Sequence, residues 1–461
     1  MSTDTGAELR ARLRALSPAK RELLAARLAE RGLLHYLDGG PERVEGEPDE
    51  VTVKQEALWR AHRGGDDGDF HHVGVVCGFA PDRTPEDVAR AVREAVARHE
   101  ALRCSYHLDG RGGVRVRGHD VDDVSVEHTV AASDDRAGAW RRAGELALRD
   151  GRLAFRMDRP PVRFRVLDAR PAAVLLSVVA HDIACDRYGL RTVLLPRLCG
   201  MPVSGRLRPR DVAHWQRRSL ESGVVRQQLD RRVVRLAAGS PLDLPDLGNR
   251  KGVRLPVRID AATARGLDRL ARSSGSSLFA VLLAAWGSVV AEAHNRADTL
   301  VGCCTSGRHR PELGGVLADL ANTMVVRVAA RPRPEQADAL RGTRDELTAA
   351  LGDGDAPFER VFAALTGRDA DVEGPVRDED IRVRLTLDEE DGAAELPGCL
   401  GVEDVDFGYA KTSLSLELAV GPDGGLAGAL AHRPTDVPHE RATELAAMLL
   451  ARLAALSRVD G

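Results

Sequence analysis

The sequence predicts a mixed α/β (α+β) protein that is built of two lobes. The chain has 461 residues, and a length well above about 200 residues favours more than one folding unit. Helix and strand patterns alternate through both halves, which is typical of helices packed on sheets. Residues 218–250 are rich first in arginine and then in proline, glycine and aspartate. We therefore expect lobes over residues 50–217 and 251–461, with 218–250 as the connection between them.

The first 35 residues are expected to form a separate helical linker. Leucine and alanine recur at helical spacing through residues 7–34. Ser17 and Pro18 suit the start of a second helix, as N-cap and first-turn proline. The N-terminus carries no apolar signal core.

In the first half, the helix predicted over residues 84–98 is the clearest, because Thr84 and Asp87 have the spacing of a capping box. Residues 162–167 alternate like a half-buried strand, and 172–180 form a continuous apolar run, as in a strand covered on both faces. The polar run His181–Arg187 follows directly, at a strand end, where chemistry is common. The elements predicted in the second half are helices over 260–272, 277–291 and 438–456 and strands over 324–328 and 413–420.

Composition and charge exclude some functions. A net charge of -4 gives no general case for binding nucleic acid or a membrane. The most apolar stretch, residues 277–291, is too short and interrupted to span a bilayer comfortably and indicates a buried core helix. The 7 cysteines include no CxxC pair, which argues against a disulfide framework and a zinc site and favours a reducing cytoplasm. We therefore expect no metal and no intrinsically bound cofactor.

Six ordered segments resemble the core motifs of one protein family, the condensation domains of nonribosomal peptide synthetases. The segments are VKQEALWRAH (53–62), RHEALRCSY (98–106), HDIACDR (181–187), RDVAHW (210–215), VGCCTSGRHRPELGGVLADLANTMVVR (301–327) and DAPFERVFAAL (355–365). In addition, LSPAKRELLAARL (16–28) resembles the linker that often precedes such domains.

The resemblance implies two lobes of the chloramphenicol-acetyltransferase type that face each other across a tunnel. Peptidyl or acyl carrier proteins would dock at its opposite mouths and deliver donor and acceptor on phosphopantetheine arms. It also implies a place in nonribosomal peptide, antibiotic or other secondary-metabolite biosynthesis, with other synthetase modules or tailoring enzymes as further partners.

The segment HDIACDR departs from the family motif His-His-x-x-x-Asp-Gly at two positions. The first histidine is kept as His181, for which we expect a role in ordering the loop. Asp182 stands at the position of the catalytic second histidine, and Arg187 replaces the glycine. A carboxylate is normally ionised at neutral pH, so it cannot donate a proton to an oxyanion unless burial keeps it protonated. This difference argues against ordinary amide-bond formation.

The two remaining charges of the motif suggest ion pairs. Pairing of Arg187 with Asp182 would neutralise both side chains and leave the site chemically quiet. The resemblance implies that Asp186 is structural and is held by an arginine from a distant segment, for which Arg308 and Arg327 are both candidates.

Three other features have simpler interpretations. Cys185 is expected to be a small buried thiol rather than a nucleophile. The pair His71 and His72 heads an apolar segment and is expected to begin a strand. Residues 352–355 are expected to form a turn, in which Asp353 stands where the family often has histidine.

Two main functions remain open at this point. The first is acyl transfer on carrier-bound thioesters at an altered active site, with Asp182 nearest the reacting atoms. The second is a catalytically inactive platform that binds carrier proteins and recruits tailoring enzymes, which resembles the X-domains. A third hypothesis is an acetyltransferase-like enzyme that uses a soluble thioester such as coenzyme A. An open passage beside Asp182 favours chemistry, and a passage plugged by Arg187 favours the platform.

Overall fold

The computed structural model describes most of the chain. The described residues are 17, 20, 40–46, 49–63, 70–202, 205–221, 223–237, 250–330, 336–367, 381–388 and 396–458. Apart from residues 17 and 20, the predicted linker over 1–35 lies outside them, as does the part of the predicted connection at 238–249.

The first sheet comes mainly from the first half of the chain. Its elements, with their accompanying helices, are α1 (Val53–Arg63), β1 (His72–Phe79), α2 (Pro85–Arg98), β2 (Cys104–Leu108), β3 (Val114–Gly118), β4 (Val126–Val130), α3 (Arg136–Gly151), β5 (Val162–Ala169) and β6 (Ala173–His181). Strands β2 and β3 form a separate hairpin, and the others lie in the order β1-β6-β5-β4. Both strands expected in this half are therefore confirmed, as β5 and β6.

Strand β6 lies at the centre of this sheet and is buried along its whole length. Its even-numbered residues from 174 to 180 pack with Val88 and Val92 of α2. Its odd-numbered apolar residues pack on the opposite face, with Ala143 and Ala147 of α3. Because successive side chains of a strand point to opposite faces, a strand between two helical layers needs an unbroken apolar run.

The second half forms a larger sheet. After β6 come a π-helical turn (Gly189–Leu194), α4 (Leu195–Leu198), α5 (Pro209–Glu221), α6 (Val224–Ala237), β7 (Val253–Ile259), α7 (Ala261–Ser273), α8 (Leu278–Ala293), β8 (Asp298–Thr305), β9 (Asn322–Ala329), α9 (Gln336–Gly352), α10 (Phe358–Thr366), β10 (Val383–Asp388), β11 (Cys399–Asp404), β12 (Leu414–Val420), β13 (Leu426–His432) and α11 (His439–Leu456). The strand order is β7-β13-β12-β10-β8-β9. The helices and strands expected in this half all occur, with ends within two residues of those predicted.

Strand β11 connects the two halves. It comes from the second half of the chain but pairs antiparallel with β1 at the edge of the first sheet, with Val75 opposite Asp404 and Phe79 opposite Cys399. Residues that follow β10 therefore lie beside the loop after β6. The division into lobes at 50–217 and 251–461 stays a prediction. Strand β11 crosses between them, because it belongs to the second range but pairs in the sheet of the first.

The cap of α2 forms as its sequence predicts. Thr84 Oγ1 accepts a hydrogen bond from the backbone N–H of Asp87, and the Asp87 carboxylate accepts one from the backbone N–H of Thr84, both at 3.1 Å. Such reciprocal bonds satisfy donors that the first turn of a helix leaves unpaired.

Helix α8 was predicted as a buried core helix, and this is confirmed. Most of its residues are buried, with Trp286 fully so. Among the described residues, no single helix has the length and apolar character to cross a membrane. The pair α7 and α8 meets those criteria together, with a bend of 104° between them.

Candidate active site

The polar loop begins where β6 ends. His181 is the last residue of β6 and lies opposite His72, the first residue of β1, in the antiparallel ladder. The prediction that His71 and His72 begin a strand is confirmed, but the ladder also brings both to the predicted catalytic loop. Sequence spacing did not place them there, because strand register depends on pairing partners far apart in the chain.

His181 is held as part of the backbone framework of the loop. Its ring is buried, and Nδ1 accepts a hydrogen bond from the backbone N–H of Ile183 at 3.0 Å. Its own backbone N–H donates to the carbonyl of Pro161 at 3.0 Å. Because Nδ1 accepts, this nitrogen carries no proton. These bonds tie both the ring and the backbone of His181 into the loop.

Asp182 is buried and paired with a lysine from the second half. Lys411 Nζ lies 2.8 Å from Asp182 Oδ2, and His71 Nδ1 lies 3.8 Å from the same oxygen. The backbone N–H of Asp182 donates to the carbonyl of His71 at 2.8 Å. Burial alone raises the pKa of the Asp182 carboxyl, but Lys411 and His71 outweigh it and hold the pKa well below its usual range. Asp182 is therefore an ionised, charge-paired carboxylate.

Arg187 is not the partner of Asp182, so the proposed neutralising pair between them is wrong. Its guanidinium extends towards strand ends of the second half, where it lies 2.8 Å from Asp404 and 3.0 Å from Asp388. The side chain is 43% exposed. Two carboxylates attract the guanidinium there, and the position beside Asp182 is occupied by Lys411. Arg187 therefore does not neutralise Asp182.

Asp186 pairs with Arg308, one of the two arginines that the sequence left open. The two side chains make a bidentate contact at 2.7 and 3.1 Å, while Arg327 pairs with Asp298. Backbone N–H groups of residues 189, 320 and 321 also donate to the Asp186 carboxylate. This carboxylate therefore ties the loop after β6 to the segment before β9.

The other motif segments meet around the same loop. Gln55 of α1 and Tyr106 of β2 both donate to the carbonyl of Ile183, at 3.0 and 3.1 Å. Asn322 donates to the carbonyl of Ala356 at 3.0 Å and thereby joins the two motifs of the second half. Segments that lie 34 to 128 residues apart in the sequence are thus joined by buried or partly buried hydrogen bonds, which are costly to break.

Cys185 has the environment of an inert thiol. It is fully buried, and burial together with the neighbouring Asp186 raises its pKa well above the usual value. A thiol without access to the thiolate form is a poor nucleophile.

Helix α9 ends at Gly352, and residues 353–355 form the expected turn directly after it. Asp353 in that turn accepts a hydrogen bond from Arg231 at 3.0 Å and one from Arg235 at 3.2 Å. Its contacts therefore tie the turn to α6.

The chemistry open to this site differs from that of a neutral imidazole. A carboxylate with a lowered pKa is a weak base, and without a proton it cannot donate to an oxyanion. His72 does not replace the missing imidazole, because burial lowers its pKa to about 4 and its Nδ1 donates to the carbonyl of Gly151 at 2.6 Å. Lys411, 41% exposed, is the group here that can hold developing negative charge.

Comparison with known families decides the assignment. A family model described as "Condensation domain" matches residues 49–383 of this chain. The match covers well over half of the chain. The chain belongs to the condensation-domain family. The prediction from the ordered motifs is confirmed.

Relatives of this condensation domain are much longer proteins. It is 26% identical over 410 residues to malpinin synthetase of Mortierella alpina, covering 82% of this chain and 5% of that protein. It is also 26% identical over 377 residues to phosphinothricin tripeptide synthetase of Streptomyces viridochromogenes, covering 77% of this chain and 34% of that protein. The chain thus spans a small part of each.

Solved condensation-type structures share the fold. The X-domain from teicoplanin biosynthesis has a TM-score of 0.74 at 22% identity, covering 90% of this chain and 96% of that one. The first condensation domain of the calcium-dependent antibiotic synthetase has a TM-score of 0.70 at 16% identity, covering 90% and 97%. The expected two-lobed condensation fold is confirmed.

The buried histidine at the start of β1 predicts a pH dependence for this condensation domain. The pKa of His72 is about 4 in the folded state and near 6.5 in an unfolded chain. The unfolded state therefore binds more protons between these values, so stability falls as pH drops from about 6.5 to about 4. His72 alone contributes about 3 kcal/mol of that loss.

We expect His72→Asn to weaken this pH dependence, since an asparagine amide can keep the bond to Gly151 but does not titrate. Urea unfolding at several pH values measures it. His99, whose pKa burial also lowers to about 4, contributes to the slope that remains in the variant, and carboxyls with a lowered pKa such as that of Asp355 contribute at its acid end. An unchanged slope in His72→Asn contradicts the assignment.

Proposed function

We propose that this condensation domain acts in nonribosomal peptide or related natural-product biosynthesis as a binding platform. It binds substrates tethered to the phosphopantetheine arms of carrier proteins without forming amide bonds in the ordinary way. The phosphopantetheine belongs to the carriers. The synthetase relatives named above support the pathway class, and the cytoplasm remains the expected location.

The ion pair of Asp182 with Lys411 carries this proposal. The family motif places a histidine at position 182, where a neutral imidazole can accept a proton at neutral pH. Here the position holds a carboxylate that is locked in its ionised form by a 2.8 Å contact to an ammonium group. Lys411 thus provides the neutralisation that was expected of Arg187.

A tailoring enzyme is the partner class that suits an inactive platform. A structure described as the complex of the X-domain and OxyB from teicoplanin biosynthesis shares the fold of this chain, with a TM-score of 0.71 at 21% identity. That likeness supports the fold alone. The altered motif of this chain supports a comparable role.

Acyl transfer at an altered site is the second candidate, and the exposure of Lys411 favours it. A lysine that is 41% exposed can present its ammonium to a substrate that enters beside Asp182. In that case Lys411 would stabilise the oxyanion, and Lys411→Met would abolish product formation while Arg187→Met would not.

Binding of carriers from the same gene cluster tests the platform. We expect a substrate-loaded carrier to bind more tightly than the same carrier without its phosphopantetheine arm, as measured by isothermal titration calorimetry. We also expect the loaded carrier to be recovered with its substrate intact. Equal or no binding of the two carrier forms contradicts the platform, and loss of the substrate in favour of a product supports the second candidate.

A further inference from the structure

Three cysteines from separate elements meet at the edge of the first sheet. Cys77 lies on β1, Cys199 directly follows α4, and Cys399 begins β11. Their sulfur atoms all lie within 4.8 Å of one another, and those of Cys77 and Cys399 are 3.5 Å apart. Cys77 and Cys199 are buried, and Cys399 is partly exposed. We refer to these residues as the three-cysteine cluster.

The backbone holds the cluster in place. Cys77 and Cys399 lie on neighbouring antiparallel strands, next to a register irregularity between Gly78 and Phe79. The backbone N–H of Cys199 donates to the carbonyl of Leu195 at 3.0 Å, which fixes the third thiol at the end of α4. The absence of a CxxC pair does not bear on such a site, because its members come from three distant segments.

The spacing of the cluster suits a metal that prefers sulfur. Zinc–sulfur bonds of about 2.3 Å in a tetrahedral site place the sulfur atoms roughly 3.8 Å apart. The observed separations, up to 4.8 Å, reach that value after displacements of less than about 1 Å, which side-chain rotation supplies. Cu⁺ and Zn²⁺ are the common ions that thiolates select.

An arginine places a positive charge near two thiols of the cluster. The positive charge of Arg83 lowers the pKa of both Cys199 and Cys399, whereas hydrogen bonds among the thiols raise the pKa of Cys77 and Cys199 overall, so a bound metal must displace their protons. Its guanidinium is held by a 2.6 Å hydrogen bond to the carbonyl of Leu198 and lies 4.4 Å from the ring of Phe79. A metal bound by three thiolates carries excess negative charge, which a fixed cation offsets.

The cluster also has a route to solvent. A surface depression of about 450 Å³ is lined by Arg83, Leu198 and Gly200 together with acidic and basic residues of α2. Leu198 and Gly200 are the chain neighbours of Cys199, so this depression lies beside the cluster, although none of the three cysteines lines it. Cys399 is partly exposed, so its sulfur gives an ion and a fourth ligand from solvent access to the cluster.

We propose that Cys77, Cys199 and Cys399 bind one Zn²⁺ or Cu⁺ ion. Binding converts three thiols to thiolates and releases three protons to solvent. The ion fastens β11, which comes from the second half of the chain, to β1 of the first sheet. This site is independent of the function proposed above, since β1 carries Cys77 five residues from His72, a separation of about 17 Å along an extended strand.

Metal titration of the reduced full-length protein tests the site. We expect one equivalent of Co²⁺ to give a sulfur-to-metal charge-transfer band, which Zn²⁺ then removes by displacement. A parallel anaerobic titration with Cu⁺ establishes which ion binds more tightly. We expect Cys199→Ser and Cys399→Ser to weaken binding by at least about 100-fold, as loss of a supporting group already costs 10–100-fold.

The exposed Cys304 provides the matched control, and Cys304→Ser should bind metal as the wild type does. Circular dichroism establishes that each variant is folded. The proposal is overturned if the folded, reduced wild type gives no charge-transfer band and takes up neither Zn²⁺ nor Cu⁺. It is equally overturned if Cys304→Ser loses as much affinity as Cys399→Ser.

Discussion

Replacement of Arg308 by methionine is expected to lower the free energy of unfolding by about 3–5 kcal/mol. The side chains of Arg308 and Asp186 are 1% and 9% exposed, so the substitution leaves a buried carboxylate without its counter-ion. Removing one partner of a buried pair costs far more than the pair itself contributes, because the remaining charge stays desolvated. Urea unfolding monitored by circular dichroism measures the difference.

The matched control is Arg187→Met in the same loop. Arg187 also contacts two carboxylates, but its side chain is 43% exposed, and exposed ion pairs contribute at most about 1 kcal/mol. We therefore expect a change of that size or less. Equal losses in Arg308→Met and Arg187→Met would contradict the structural role of the Asp186–Arg308 pair.

Restoring histidine at the altered position is expected not to restore condensation. In Asp182→His the imidazole would lie beside the Lys411 ammonium, which is 2.8 Å from the present carboxylate. A neighbouring cation and burial both lower the pKa of an imidazole and weaken it as a base. A positioned general base contributes about 10²–10⁴-fold to rate, so we expect amide formation to stay at least about 100-fold below that of a domain with an intact motif.

Mass spectrometry of the peptide product on a loaded acceptor carrier measures this activity. The double variant Asp182→His/Lys411→Met should be measured beside it, because it also removes the cation that lowers the basicity of the new imidazole. Asp182→Asn, which cannot act as a base, sets the background. Product formation by Asp182→His at the rate of an intact domain would contradict the account.

Local sequence patterns were sufficient to predict the helix and the strand that position the site. The capping box of α2 is visible in the spacing of two nearby residues. The unbroken apolar run of β6 shows that both faces of that strand are covered. The ordered motifs likewise located the loop from His181 to Arg187 and narrowed the partner of Asp186 to two arginines.

The contacts of Asp182 were not predictable in the same way. Lys411 lies 229 positions from Asp182 in a segment outside the six family motifs, and an ion pair leaves no periodic signal in the sequence. His71 reaches the site through the register of β1 on β6, and Arg187 found its partners on strands from the other half of the chain. Each of these contacts depends on the tertiary arrangement of distant segments, which a pattern of neighbouring residues does not specify.

The most direct test of the central claim is the intact mass of an acceptor carrier after incubation with a donor-loaded carrier and this protein. Because Asp182 is tied to Lys411, we predict that wild type, Asp182→Ala and Lys411→Met all leave the acceptor mass as it is in a protein-free control. Transfer of the donor group by the wild type that Asp182→Ala abolishes would contradict the claim.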